Sequence, residues 1–258
     1  GSFNGSDKIN KYYQFFLKKF QCPIIHLTYE SAEITKISIN IFLISQVCTT
    51  NLLASICEKI GADWTCMLPA LQSDRRIGKY AYLNPGLGLS GGNLERDLKT
   101  LLLLNNKHFI HDKILPSLSY NSKISKDWVL RKIEAIKFNK NKDKIAILGI
   151  AYKENTDSVK NSPSIDLIKK LKGYKIFAFD PNVNIAFSNN NNFYTCQSLN
   201  SAIDGAKILI IMNKCNEFKK ISINKLNKLH GKNIVDPFGV LKNLDLKKKG
   251  FNYHVIGN

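Results

Sequence analysis

The chain has 258 residues, 44% of them apolar and 22% charged, which is enough to bury one large or two ordinary cores and excludes a long disordered tail. Lysine and arginine outnumber aspartate and glutamate 38 to 20, for a formal net charge of +18. The lysines are spread along the whole chain together with asparagines, as at Asn189 to Asn192, and no nucleic-acid recognition motif accompanies them, so no nucleic-acid partner is expected.

The first seven residues lack the basic stretch and apolar core of a signal peptide and an initiator Met, so the sequence is expected to be a fragment. Cys22, Cys48, Cys57, Cys66, Cys196 and Cys215 form no C-x-x-C pair, which predicts a reducing, cytoplasmic setting and no metal site. Residues 8–20 set Tyr12, Tyr13, Phe15, Phe16, Leu17 and Phe20 among lysines and predict a short amphipathic helix. Thr28 is placed to cap a long helix reaching about Ile60, with Glu30 and Glu33 near its positive end and Gly61 beyond its other end. Residues 37–57 of that helix carry no charge and are long enough to cross a bilayer. Eight polar positions, Ser38, Asn40, Ser45, Gln46, Thr49, Thr50, Asn51 and Ser55, argue instead for burial among other helices or at a dimer interface, with no membrane partner.

Next comes a loop of backbone-permissive residues, Asn84 to Asn93, leading into a helix Leu94 to Asn105 and further helical pattern to about Asn139. At Asn139 to Lys144 the apolar period changes from 3.6 to continuous runs, and a second domain is expected to start. It reads as strand Lys144 to Ile150, helix opened by Ser162-Pro163 and closed by Gly173, and strand Lys175 to Asp180. Helix Ser198 to Ile203 and strands Lys207 to Met212, Asn233 to Asp236 and Phe251 to Ile256 complete it. The prediction is α/β: an all-helical central domain followed by a Rossmann-like, doubly wound parallel sheet. Its bounds are a leading remnant and connector over 1–27, a helical dimerisation domain over 28–140 and a C-terminal domain over 141–258. The first strand-to-helix turn, Leu148 to Lys153, has a single glycine where a dinucleotide fingerprint needs three, so this sheet is not expected to hold a dinucleotide pyrophosphate itself.

Several residues could carry chemistry. Lys36 and Asn40 lie one turn apart on a helix face whose next charged residue is Glu58. A lysine partly buried there must meet an anion or titrate low, and the pair could hold charge developing on a substrate oxygen; the alternative is a lysine that snorkels or pairs with Glu33. The Pro85 to Asn93 bend, followed by Glu95, Arg96 and Asp97 in the first helical turn, could offer backbone N–H groups to a phosphate or sugar. Asp97 there could equally answer the helix dipole. His108 and His111, without a third ligand, read as helix surface.

Five motifs occur in order: Ala32-Glu-x-x-Lys36-x-x-x-Asn40-x-Phe-Leu, Gly61-Ala-Asp63, Asp74-Arg-Arg-Ile-Gly78, Pro85-Gly-x-Gly-x-x-Gly-Gly92, and Ile147-Leu-Gly-Ile-Ala-Tyr-Lys153-x-Asn-Thr-Asp157-x-Val-Lys160-x-Ser-Pro163. Together they resemble the central and C-terminal domains of the UDP-glucose/GDP-mannose dehydrogenase family, the NAD-dependent nucleotide-sugar 6-dehydrogenases, over about Thr28 to Ile256. The resemblance implies a homodimer through helix 28–60, a nucleotide-diphosphate sugar as substrate and NAD as cofactor. The leading NAD domain of the family is expected to be missing, so the chain alone should bind NAD poorly. Lys36 and Asn40 match the lysine and asparagine that stabilise the oxyanion and hold a catalytic water, and Asp97 matches the aspartate that helps activate that water. Arg76 matches an arginine that reaches a neighbouring subunit's substrate. Tyr82, Leu83, Asn84, Gly88, Leu89, Ser90 and Gly91 match the substrate loop, and Lys153 matches a substrate lysine.

Three departures qualify the resemblance. The family's catalytic cysteine falls on Asn93, which has no thiolate to form a thiohemiacetal. Lys160 stands where many members have an arginine near the cofactor, keeping charge but losing bidentate geometry. Asp236-Pro-Phe238 stands where many have Asp-Gly-Arg, removing a substrate-binding cation. The expected function is NAD-dependent oxidation at C6 of a UDP- or GDP-sugar in polysaccharide biosynthesis. The alternative is a catalytically degenerate nucleotide-sugar-binding or oligomerisation module.

Overall fold

The computed structural model describes residues 1–5, 8–184 and 192–258; of the tract Asn189 to Asn192, only Asn192 falls among them. The chain divides into two compact units, Gly1–Leu43 and Ile44–Asn258.

In the first unit, helix α1 runs Lys11–Lys18 with Asn10 as its cap, the Asn10 side chain accepting from the Tyr12 N–H at 2.9 Å. No residue of α1 is buried, and Tyr13, Phe16 and Phe20 pack only along the helix and its exit, with ring centroids 6.3 and 5.3 Å apart. The Ser2 N–H donates to the Leu27 carbonyl at 2.9 Å, tying the start of the chain to the approach to the next helix. That helix, α2, spans Tyr29–Ile60 and begins as the sequence predicts: Thr28 Oγ1 accepts from the Ser31 N–H at 3.3 Å. Gly61 follows at φ +77°, the left-handed conformation that ends a helix without strain.

By length and composition α2 would pass for a bilayer span, but its buried residues, Ile44, Cys48, Thr50, Asn51, Ala54 and Cys57, all lie from its midpoint onward. This corrects the expectation that Lys36 is buried. Lys36 is exposed, as are Ile34, Ile39 and Phe42 around it at 42%, 58% and 73%. An apolar pattern states what a helix is able to bury; whether anything covers it is decided by the neighbouring surfaces, and among the described residues these remain exposed.

In the second unit, α2 is followed by α3 (Trp64–Ser73), α4 (Asn93–Lys107), α5 (Ile114–Lys126) and α6 (Trp128–Glu134). Helix α3 is not announced by the sequence reading; Asp63 caps it, accepting from the Thr65 N–H at 2.7 Å. Asp97 is the fifth residue of α4 and lies beyond its first turn, a second correction: the helix starts at Asn93, one residue earlier than predicted, so the dipole does not account for this carboxylate.

The sheet strands are β1 (Lys144–Leu148), β2 (Lys175–Phe179), β3 (Phe193–Thr195), β4 (Ile208–Ile211), β5 (Asn233–Val235) and β6 (Asn252–His254). All pair in parallel, in the order β3-β2-β1-β4-β5-β6, the doubly wound arrangement whose order reverses beside the first strand. Short β3 was not predicted. Helices α7 (Pro163–Lys170), α8 (Leu199–Ile203) and α9 (Ile223–Leu226) complete the unit with short 3-10 turns. The central strands read as unbroken apolar runs because both faces are covered. Ile145, Ile147 and Ile210 face Leu167 and Ile168 of α7 together with Trp64, Trp128 and Ile133, while Ala146, Leu148 and Leu209 face Leu199, Ala202, Phe218 and Leu226. One apolar core therefore joins the end of α2, α3, α6 and α7 to one face of the sheet.

Candidate active-site cleft

The glycine bend is anchored by polar side chains of α2 and α5. Thr50 Oγ1 donates to the Tyr82 carbonyl at 2.8 Å, and the Tyr82 N–H donates to Gln46 Oε1 at 3.0 Å. Asn51 Oδ1 accepts from the Gly86 N–H at 2.8 Å while its Nδ2 donates to Ser125 Oγ at 3.2 Å, and Ser122 Oγ accepts from the Leu89 N–H at 2.9 Å. Three of the polar residues that spoil α2 as a membrane span, Gln46, Thr50 and Asn51, thus fix this loop. The same bonds revise part of the loop's expected role: the N–H groups of Tyr82, Gly86 and Leu89 are committed to protein and do not point at a ligand. Gly88 is required for close approach, since at φ +69° a Cβ would stand 2.4 Å from the Ser122 carbonyl oxygen.

Across from the bend, the turn after β1 is closed from within. Asp180 Oδ2 accepts from the N–H groups of Ile150 and Ala151 at 2.7 and 3.0 Å, and a Cβ on Gly149 would stand 2.6 Å from the Asn213 side chain. The position at which a dinucleotide-binding turn would meet a pyrophosphate is filled by a carboxylate, as the missing glycines predict.

Between these two walls lies a cleft of about 250 Å³ lined by Asn84, Gly88, Ser90, Lys153, Lys214 and Phe238, among others. A second hollow of about 170 Å³ continues it along Asn84, Lys214, Phe238 and Lys242. The cleft brings together part of the predicted substrate loop and Lys153, whose Nζ stands 5.4 Å from the centroid of the Tyr152 ring. Tyr82 is half exposed and Leu83 packs against the core, its carbonyl accepting from Trp64 Nε1 at 2.8 Å. Leu89 is buried and faces away from the cleft, into a separate cavity under α4 and α5. Gly91, at φ +77°, packs on Tyr152, and a Cβ there would meet its ring at 3.1 Å.

Lys160 lies against the start of α4, its Nζ 3.3 Å from where a Gly92 Cβ would be. Next to it, Asn161 Nδ2 donates to the Gly91 carbonyl at 2.6 Å and to Glu95. Asn93 is exposed at the first position of α4, and Asp97 is buried and paired with Arg96 Nε at 3.1 Å. Arg76 is outside the cleft: its guanidinium is exposed and held by Asp74 at 2.6 Å. Lys36 and Asn40 share a face of α2 in the first unit, one turn apart.

Lys214 was missed by the sequence reading. Its ammonium stands 5.7 Å from the centroid of Phe238, a cation beside the position where the resemblance implied one was lost. A signal for it exists: Lys214 follows β4, and ligands of doubly wound sheets gather beyond the carboxyl ends of the strands. Behind Phe238, Asp236 is fully buried. Its Oδ2 accepts from the Leu241 N–H at 2.9 Å and the Tyr253 O–H at 2.8 Å, while Oδ1 has no hydrogen-bond partner. Burial pushes this carboxyl above the ordinary aspartate range despite those donors, and burial beside Asp236 likewise pushes the Tyr253 phenol up.

Sheet order, helical layer and cleft define a doubly wound α/β protein with a cleft lined in part by residues that follow β1 and β4. Comparison with known proteins gives the family. Residues 30–121 match the UDP-glucose/GDP-mannose dehydrogenase family, central domain, and residues 146–243 match the same family's UDP binding domain. The chain is 34% identical over 239 residues to UDP-glucose 6-dehydrogenase of Rickettsia bellii, covering 88% of this chain and 54% of the relative. It is 30% identical over 264 residues to UDP-glucose 6-dehydrogenase of Rickettsia prowazekii, covering 96% and 60%. Among solved structures, a UDP-glucose dehydrogenase from Pyrobaculum islandicum superposes with TM-score 0.76 at 18% identity, covering 94% of this chain and 55% of that one, a likeness of fold. The chain belongs to the UDP-glucose/GDP-mannose dehydrogenase family, and it spans between half and two thirds of the length of these relatives.

Proposed function

We propose that the protein is a nucleotide-sugar 6-dehydrogenase that oxidises C6 of a UDP- or GDP-sugar with NAD, and that the cleft of Asn84, Ser90, Lys153, Lys214 and Phe238 holds the nucleotide diphosphate. The observation that supports this best is the meeting of two ammoniums, Lys153 and Lys214, with an aromatic ring and a rigid glycine bend in one cleft of a member of this family. Two cations suit a diphosphate, and the Phe238 face suits a base.

Roles pass to this chain residue by residue from the family resemblance. Lys36 would stabilise the oxyanion, Asn40 would hold water and Asp97 would help activate it. Arg76, exposed in a single chain, would serve a neighbouring subunit's substrate. NAD would accept the hydride; Lys160 is the one residue of this chain we assign to it, because the β1 turn is filled by Asp180 and does not fit a dinucleotide. An Asn93 carboxamide is no covalent nucleophile, so the aldehyde would go on to the acid only through its hydrate, or the reaction would end at the aldehyde. The protein would act as a cytoplasmic homodimer joined through α2.

A second reading is favoured by Asn93 and by the exposure of Lys36: a module that binds nucleotide sugars without turning them over. Calorimetry with UDP-glucose and GDP-mannose, run beside NADH formation, separates the two. NADH production supports the dehydrogenase, sugar-nucleotide binding without NADH supports the module, and neither overturns the cleft assignment. Binding that is weakened at least tenfold in both K153A and K214A is the expected outcome.

A further inference from the structure

A larger, open-sided cavity, about 420 Å³, lies on the opposite side of the glycine bend, lined by α4, α5 and α7. Leu89 points into it while its neighbours Gly88 and Ser90 line the cleft described above. Its floor is apolar: Leu89 and Leu98 are buried, and Leu102 continues the surface. Its rim is cationic. Lys99 comes from α4, Lys123 and Lys126 from α5, and Lys169 and Lys170 from α7.

Two of these charges are already answered, Lys126 by Glu95 at 2.6 Å and Lys170 by Asp127. Lys99, Lys123 and Lys169 take part in no ion pair among the described residues, and Asp166 is the one further carboxylate in the lining. The abundance of lysine in the chain does not by itself produce this arrangement: among the described residues, no lysine lines the hollow of Phe179, Asp180 and Cys196. Lys99, Lys123 and Lys169 reach this rim from three separate helices, and an anion seated there answers charges that no carboxylate among the described residues pairs. The volume falls in the range of small-molecule sites, and an apolar floor beneath a charged rim selects ligands with an apolar body as well as charge.

We propose that this cavity binds a phosphorylated small molecule, its phosphates held by Lys99, Lys123 and Lys169 and its body laid on Leu89, Leu98 and Leu102. The site is separate from the sugar-nucleotide cleft, and the proposal does not depend on the function assigned to that cleft. Calorimetric titration of the chain with ATP and with inorganic tripolyphosphate tests it. ATP is expected to bind at least tenfold more tightly than tripolyphosphate, because only ATP has a body for the leucine floor. With UDP present to fill the other cleft, the exposed-site variants K99E and K123E are expected to weaken ATP at least tenfold with unchanged thermal unfolding. Equal binding of the two probes overturns the apolar floor. ATP binding that survives K99E and K123E, is competed away entirely by UDP, or is absent altogether overturns the site.

Discussion

Gly88 and Asp236 show how single residues set the walls of the cleft. At Gly88 the φ of +69° and the 2.4 Å approach to Ser122 leave no room for a methyl group. Gly88→Ala is therefore expected to destabilise the protein by about 1–3 kcal/mol through backbone strain and displacement of α5, read as a lower urea midpoint. Asp236 makes a prediction about pH. Its folded-state pKa is raised by burial, so below the ordinary aspartate value both folded and unfolded chains carry the proton and its contribution is fully present. As the pH rises from about 4, the unfolded chain ionises first, and stability falls until the folded carboxyl ionises as well. Asp236→Asn removes this dependence. Urea unfolding from pH 4 to pH 8 should show a smaller loss of stability in the variant, and identical slopes would sink the assignment.

Among the elements, α2 draws the rest of the second unit to its C-terminal end. Glu58 accepts from Trp128 Nε1 at 2.9 Å and Lys132 Nζ at 3.0 Å, both of α6, and from the Gly257 N–H at 3.1 Å, near the chain's end. Its side chain is 12% exposed, so removing it strands an indole donor, a backbone donor and part of an ammonium charge. Glu58→Ala is expected to cost about 2–3 kcal/mol, whereas loss of a surface pair such as Lys248–Asp245, both exposed, costs little. Chemical denaturation of the two variants side by side checks the contrast. The sequence marks Glu58 only as the next charge after Lys36; that it is a junction of three segments depends on α6 and the C-terminus arriving beside it.

For the whole molecule, α2 leaves Leu52 and Ile56 exposed at 52% and 44%, one turn apart on the same side of the helix. An exposed apolar pair of this kind suits a two-fold mate of the same chain. Sedimentation velocity is expected to show a dimer that the double variant Leu52→Lys, Ile56→Lys converts to a monomer. A monomeric parent protein at tens of micromolar would contradict it.

Sequence alone determined the long helix with its Thr28 cap and Gly61 exit, the parallel alternating domain, the glycine bend, and the absence of a dinucleotide turn after β1. Each rests on local rules of capping, periodicity or backbone freedom that need no distant partner. Helix α3 and strand β3 escaped because Pro69 interrupts the helical pattern of one and the other is only three residues long, held by pairing with β2. Tertiary structure decided the rest: which N–H groups of the bend are consumed by Gln46, Asn51 and Ser122, that Lys214 stands beside Phe238, that Leu89 turns to a second cavity, and that Lys36 is exposed. Burial, convergence and the spending of hydrogen-bond donors are properties of surfaces far apart in the chain, and they exist only once those surfaces meet.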